Sequence, residues 1–275
     1  MNILQALILG IIQGATEFAP VSSSGHLVLV PWWLGWPIPN VIFDTTLHLG
    51  TVLAVILFFY RDLWEIIVAW VTSLVRPSQR TPKAMLGWWI ILGTIPAALA
   101  GVLLKDFFEG AFSSPPAVAA LLIVTGLILA AAERFTERWR DLPEMLWLDA
   151  VLIGVAQAVA ILPGISRSGA TLSAGLWRGF KREEAARFSF LLSIPIILGT
   201  GLKQLLDLIR HPALRHAANG AAAPELLIGA VAACVVGLWF IRYLLKYLQR
   251  GTLYPFALYC WVVGLVTLIA TAFVR

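Results

Sequence analysis

Charge is what this sequence has least of. Only 13% of its 275 residues are Asp, Glu, Lys or Arg, about half the ~25% of an ordinary soluble domain. With 60% hydrophobic residues, that shortage excludes a water-exposed globular fold. Cysteine is nearly missing too: Cys234 and Cys260 stand alone inside apolar runs, which excludes a disulfide framework or a thiolate metal site. There is no P-loop and no H-E-x-x-H, so nucleotide-driven or zinc-hydrolase chemistry is not expected. The start, "MNILQALILGIIQG", has no basic residue before its apolar run and does not read as a secretory signal peptide.

What is present is long stretches without charge. Ala84–Leu104, Ala111–Ala132 and Gly251–Val274 hold 21, 22 and 24 uncharged residues, and about 20 suffice to cross a ~30 Å hydrocarbon core. The chain reads as an all-α polytopic membrane protein with six transmembrane helices, at 43–61, 84–104, 112–133, 186–206, 225–242 and 253–274. Pro195 and Gly199 interrupt the fourth, as membrane helices tolerate. Leu63–Val75 could extend the first span or lie along the interface. Two regions fit no full span: residues 2–36 and 147–178 each hold two apolar pieces of roughly a dozen residues broken by Pro, Gly and Ser. Pieces of about that length favour re-entrant helix hairpins.

The two regions are copies. A shift of 144 residues aligns Met1–Trp36 with Met145–Phe180 without a gap and matches Gly10/Gly154, Gln13/Gln157, Ser22/Ser166, Ser24/Ser168, Gly25/Gly169 and Gly35/Gly179. Each copy precedes three spans, and an odd number inverts the second. We therefore expect one membrane domain over 1–275, built as an inverted-topology repeat, with repeat 1 at 1–133 and repeat 2 at 145–275. Such repeats place their site where broken helices meet near the midplane. The net charge of +5 follows topology and not nucleic acid. Arg61, Arg76, Arg80, Lys83, Arg134, Arg138, Arg140, Arg178, Lys181, Arg182, Arg187, Arg242, Lys246 and Arg250 fall on one side of the expected topology. Lys105, Lys203, Arg210, Arg215 and Arg275 fall on the other. By the positive-inside rule both termini face outward, the first hairpin enters from outside and the second from inside.

The only acidic or basic residues between Met1 and Ile42 are Glu17 and His26, in "QGATEFAPVSSSGHL". The copy, "AILPGISRSGATL", carries Arg167. Each serine tip opens a short helix, so its backbone N–H groups and positive helix end suit a phosphate, and Arg167 adds a bidentate cation. Serines and glycines alone are often packing residues at helix crossings. An intramembrane carboxylate and guanidinium are harder to explain that way. Glu17, Ser23, His26 and Arg167 form a phosphoryl-transfer set: Ser23 or His26 to attack, Glu17 to take a proton, orient His26 or bind a divalent cation, Arg167 to hold the anion. Gln13, one helical turn before Glu17, can hydrogen-bond it, whereas its copy Gln157 faces Ile161. Asp44 and His48, four residues apart, are either an interfacial pair or a support for the site. Trp32, Trp33, Trp36, Trp88 and Trp89 fit an aromatic belt.

At "QGATEFAPVSSSGH" and "PGISRSGAT" the chain resembles the undecaprenyl pyrophosphate phosphatases, the BacA-type bacitracin-resistance proteins. The likeness covers both motifs, their separation and the three-plus-three spans. It implies an enzyme of the bacterial inner membrane that hydrolyses undecaprenyl diphosphate to undecaprenyl phosphate and inorganic phosphate, recycling the lipid carrier of peptidoglycan synthesis. It implies Mg²⁺ or Ca²⁺ as cofactor, with Glu17 as a ligand, and a site facing the periplasm. Substrate binding falls on Gln13, Ser22, Ser24, Gly25, Gly164, Ser166, Ser168, Gly169 and Thr171. Many members carry Glu at position 13, so Gln13 shifts acid–base duty to Glu17. Implied partners are the polyprenyl diphosphate and membrane lipid, with bacitracin met only through the substrate, no nucleic acid, and a homodimer allowed. The rival readings are a flippase for the same lipid phosphate and, more weakly, an anion channel.

Overall fold

The computed structural model describes residues 1–76, 78, 80–103, 114–210 and 223–273. Lys105, Asp106, Glu109, Arg215 and Arg275 lie outside the described residues, as do the ends of the spans expected at 84–104, 112–133 and 253–274. The described residues form eleven α-helices: α1 Ile3–Phe18, α2 Ser23–Leu34, α3 Val41–Phe58, α4 Tyr60–Val75, α5 Pro82–Leu103, α6 Pro115–Phe135, α7 Trp147–Val159, α8 Arg167–Trp177, α9 Arg182–Arg210, α10 Ala223–Leu248 and α11 Tyr254–Phe273. Six of them, α3, α5, α6, α9, α10 and α11, are long and apolar enough to cross a membrane. The chain is an all-helical, multi-pass membrane protein.

Leu63–Val75, ambiguous in the sequence, is not an extension of the first span. The chain bends at Phe59 and α4 packs along α5. Trp70 lies against Gly87, the small residue that lets its indole approach.

The other four helices are short. With 16, 12, 13 and 11 residues, α1, α2, α7 and α8 reach about 24, 18, 20 and 17 Å at 1.5 Å per residue, well under a ~30 Å core. Local chemistry sets their ends. Asn2 and Gln5 close a capping box at the start of α1, and Pro20 stops its end by pushing Ala19 into an extended conformation. Ser22 and Ser166 cap α2 and α8 by accepting from the backbone N–H of Gly25 and Gly169 at 3.3 and 3.0 Å. Gly35 and Gly179 follow α2 and α8 with positive φ of 64° and 85°. Each of these paired positions is 144 residues apart.

Packing follows the same exchange. Helix α1 lies along α10, and α7 lies along α5. Contact is close enough that a Cβ on Gly10 would strike the carbonyl of Gly229, and one on Gly154 the carbonyl of Gly93. Small residues at such crossings let backbones meet. Gly154→Leu is expected to cost about 1–3 kcal/mol or more through overpacking, read as a lower melting temperature in detergent. Gly199→Ala, where a Cβ meets open space, should leave it within experimental scatter.

Helices α6 and α11 pack together behind the two turns. One end of the bundle gathers charge. Asp149, fully buried, accepts from Arg140 at 2.7 and 3.2 Å, from Arg178 at 2.5 Å and from the Leu146 N–H at 2.9 Å. Glu133 holds Arg182 and Arg138 nearby, and Arg187 reaches Asp62 at 3.4 Å. The Asp149 contacts fix the start of α7 and the end of α8, the two feet of the second helix–turn–helix.

Candidate active site

The turn after α1 bends the chain so that Ser23 faces back to Glu17. Ser23 Oγ donates to Glu17 Oε2 at 2.5 Å, and Gln13 Nε2 donates to the same oxygen at 2.9 Å. Ser22 makes this turn with φ of 67°, the positive-φ residue other than glycine among those described. A side chain in that region is strained, and such strain persists where surrounding bonds over-determine it. His26 is one of those bonds. Its Nδ1 donates to the Ser22 carbonyl at 2.8 Å, leaving Nε2 of the neutral ring to accept from the Tyr259 hydroxyl at 2.7 Å. The two rings stack at 5.6 Å.

The second turn meets the first. Arg167 Nη2 pairs with Glu17 Oε1, and Ser168 Oγ donates to the Ala19 carbonyl at 3.0 Å. A Cβ on Gly25 would touch Gly164 Cα at 3.5 Å, and one on Gly169 would touch the Pro20 carbonyl at 3.4 Å. Residues 20 and 164 are 144 apart, as are 25 and 169, so each turn touches the other at corresponding points. Thr125 on α6 braces the second turn, donating to the Gly164 carbonyl at 2.9 Å and accepting from the Ser166 N–H at 3.1 Å.

Between the turns lies a cavity of about 290 Å³. Glu17, Ser22, Ser23 and Ser24 line it from one turn, and Ile165 and Arg167 from the other. Asp44, Thr45 and His48 of α3, Ala97 of α5, Gln157 of α7, Ala160 and Ile161 just after it, and Ile196, Ile197, Thr200 and Gly201 of α9 complete the wall. A serine hydroxyl, a carboxylate bonded to it and a guanidinium therefore share one space. Its remaining walls are largely apolar, as in most small-molecule sites.

Comparison with known proteins places the chain in a family. The family model described as bacitracin resistance protein BacA matches residues 6–266. The chain belongs to the BacA family. Among its relatives in that family are proteins named undecaprenyl-diphosphatase. One from Thermomicrobium roseum is 43% identical with both chains fully covered. One from Geobacter metallireducens is 44% identical over 96% of each chain. One from Moorella thermoacetica is 43% identical over 92% of this chain and 91% of its own.

In this BacA chain the residues singled out by sequence fall into two groups. Glu17, Ser22, Ser23, Ser24 and Arg167 meet on the cavity wall, with Gln13 directly behind Glu17. His26 points away from the cavity to Tyr259. Gly25, Gly164, Ser166, Ser168, Gly169 and Thr171 are not on the wall either. Their bonds cap helices or join neighbours: Thr171 Oγ1, for example, bonds Ser189 Oγ at 2.6 Å and the Arg167 carbonyl at 2.8 Å. They give the turns their shape.

The sequence does not place three wall residues in the site, and it leaves Asp44 and His48 between an interfacial pair and a support for it. His48 Nε2 stands 3.6 Å from Glu17 Oε2. Asp44, one turn earlier, also faces the cavity, with its carboxylate 3.8 Å from His48 Nδ1. The spacing of the pair was visible, but nothing in the order of residues places α3 beside the turns. Gln157 was visible only as the copy of Gln13.

Among the described residues no cluster of three or more His, Cys, Asp or Glu side chains makes a protein-only metal cage. The two wall carboxylates, Glu17 and Asp44, fit a different pattern, in which Mg²⁺ binds one or two carboxylates and completes its shell with water and substrate phosphate.

Proposed function

We propose that this protein is an undecaprenyl-diphosphatase, releasing inorganic phosphate from undecaprenyl diphosphate and leaving undecaprenyl phosphate. The observation that carries the reading is the Ser23–Glu17–Arg167 chain, in which one carboxylate joins a hydroxyl from one turn to a guanidinium from the other. The names of relatives 43–44% identical support it.

Ser23 is the nucleophile. Its proton is already directed at Glu17 Oε2, so Glu17 acts as general base while Ser23 Oγ attacks the terminal phosphorus. The P–O bond to the lipid-linked phosphate breaks, and undecaprenyl phosphate leaves. Glu17 passes the first proton to the departing undecaprenyl phosphate. Water then attacks the phosphoserine, and Glu17 takes the water's proton and returns it to Ser23 Oγ as the Oγ–P bond breaks and inorganic phosphate departs. Arg167 stabilises the charge that builds on the transferred group. Glu17 and Asp44 are the residues that would hold a divalent cation, which when bound would neutralise diphosphate charge. The polyprenyl tail leaves past Ala97, Ile161 and Ile196 into lipid.

His26 serves as a positioning residue in this scheme, since both its ring nitrogens hold structure. His26→Ala is expected to lower the rate about 10- to 100-fold, the range for a misplaced reacting group. His26→Asn, whose amide can still donate to the Ser22 carbonyl, should recover part of the loss. A nucleophilic histidine would show no such rescue.

We further assign an inverted-topology repeat with two re-entrant hairpins, α1–α2 and α7–α8. Support comes from their short lengths, the paired caps 144 residues apart and the exchanged packing of α1 on α10 and α7 on α5. The basic end of the bundle, with Arg138, Arg140, Arg178, Lys181 and Arg182, faces the cytoplasm of a bacterial inner membrane by the positive-inside rule. The cavity opens to the periplasm.

The test is product analysis with purified protein in detergent. Undecaprenyl phosphate and inorganic phosphate should form in equal amounts from undecaprenyl diphosphate. A protein that only moves the lipid phosphate across the bilayer would form neither, and that result would end this reading.

A further inference from the structure

Gln157 is the least explained polar group on the cavity wall. It is 2% exposed, it faces the cavity, and neither its Nε2 nor its Oε1 has a hydrogen-bond partner among the described residues. Buried side-chain amides are nearly always satisfied in folded proteins, and each exception calls for a physical reason.

Comparison with its copy supplies one. Gln13, 144 residues earlier, spends its amide on the carboxylate one turn further along, donating to Glu17 at 2.9 Å. The position one turn beyond Gln157 is Ile161, which can accept nothing. The amide donor is thus committed in one half and uncommitted in the other, while the amide oxygen has no partner in either among the described residues. Arg167 repeats the pattern: Nη2 is paired with Glu17, while Nη1 has no partner. The buried wall donors without a partner among the described residues, Gln157 Nε2 and Arg167 Nη1, both come from the second half. Of the two wall carboxylates, Glu17 pairs with Arg167 and Asp44 lies 3.8 Å from His48 Nδ1.

We infer that Gln157 is a substrate-binding residue that donates its amide N–H to the lipid-linked, non-transferred phosphate. The inference rests on the diphosphatase reading and deepens it. The choice of phosphate follows from the neighbours. Gln157 shares its part of the wall with Ala97, Ala160 and Ile161, the apolar side along which the first isoprene units run, whereas Ser23 and Glu17 stand on the other turn with the terminal phosphorus. A neutral amide suits this place, because it grips the phosphate in ground state and transition state alike without holding the product as a second cation would. Such uniform binding lowers KM and leaves kcat nearly unchanged.

The test uses Ser23→Ala protein, which binds without turnover, and farnesyl diphosphate as the probe. Adding Gln157→Leu should weaken binding about 10- to 100-fold, the range for losing a hydrogen bond to a charged group. Gln157→Glu, which loses donors and adds repulsion, should weaken it at least as much. Because the amide is unsatisfied in the free protein, the melting temperature of Gln157→Leu should equal or exceed that of its parent. Farnesyl monophosphate, which carries only the lipid-linked phosphate, should show the same fold loss. Unchanged farnesyl diphosphate binding by Gln157→Leu overturns the inference, and so does a fall in melting temperature that accompanies lost binding. A defect confined to the diphosphate overturns the assignment to the lipid-linked phosphate. The diphosphatase reading fails separately, if protein with Ser23 intact releases no phosphate; Gln157-dependent binding would then still stand.

Discussion

Arg167→Ala should lower phosphate release by ~10²–10³-fold, the scale on which a preorganised charge stabiliser acts. The guanidinium is the cation on the cavity wall, and no neighbour on the second turn can replace it. Its loss also leaves Glu17, whose side chain is 4% exposed, without its closest counter-charge. Breaking a buried pair from one side costs about 3–5 kcal/mol, so lost activity could reflect lost folding. A second variant tests whether the stability loss comes from the stranded charge. Glu17→Gln combined with Arg167→Ala removes both charges and should recover the melting temperature, since Gln13 and Ser23 can still bond the amide. Activity should not return. Arg167→Lys should recover little, because a point charge cannot hold a carboxylate and a phosphate at once as a planar guanidinium does. Recovery of near-normal rates in the double variant would remove both Arg167 and Glu17 from the chemistry; the effect of Arg167 alone is read on Arg167→Ala protein assayed below its melting temperature.

Ser23→Ala is expected to lose ~10³-fold or more, as enzymes do when the nucleophile itself is removed, while remaining folded and able to bind substrate. Ser23 is 8% exposed and gives its hydroxyl to Glu17. With it gone, Glu17 keeps Gln13 and Arg167 as partners, so the carboxylate is not stranded. The loss should therefore fall on kcat with KM little changed. Ser24→Ala is the internal control: its hydroxyl contacts Ser22 Oγ at 3.3 Å and not Glu17, and an effect below about 10-fold is expected for a group that only shapes the turn or solvates phosphate. Equal losses at Ser23 and Ser24 would argue that the serines act as a collective phosphate cradle with no single nucleophile.

Much of this arrangement was legible in the residues. Uncharged runs of bilayer length located the six apolar helices, because hydrocarbon thickness leaves few other uses for them. The repeated Ser-x-Ser-Gly located both turns, since a serine cap and the glycine whose N–H it accepts must stand three residues apart. Glu17 and Arg167 stood out because buried charges need partners, and they proved to be each other's. The direction of His26 was not legible. Its target, Tyr259, is 233 residues away on α11, and sequence proximity to the serines suggested the opposite face. His48 was hidden for the same reason: only packing of α3 beside the turn brings it to Glu17. Gln157 was visible as a repeat, yet its lack of a partner is a property of the folded cavity alone. Nor could composition show that Leu63–Val75 would break from the first span at Phe59 and pair with α5.

The most direct measurement follows the terminal phosphorus. Undecaprenyl diphosphate labelled there should be mixed with protein, quenched in denaturing detergent at neutral pH within the first turnover, and the label mapped along the chain with and without acid treatment. Acid-stable label on Ser23 is expected in the unaltered protein and its near absence in Arg167→Ala, because the serine of one turn attacks a phosphorus held by the arginine of the other. Acid-labile label on His26, or undiminished turnover by Ser23→Ala, would contradict it.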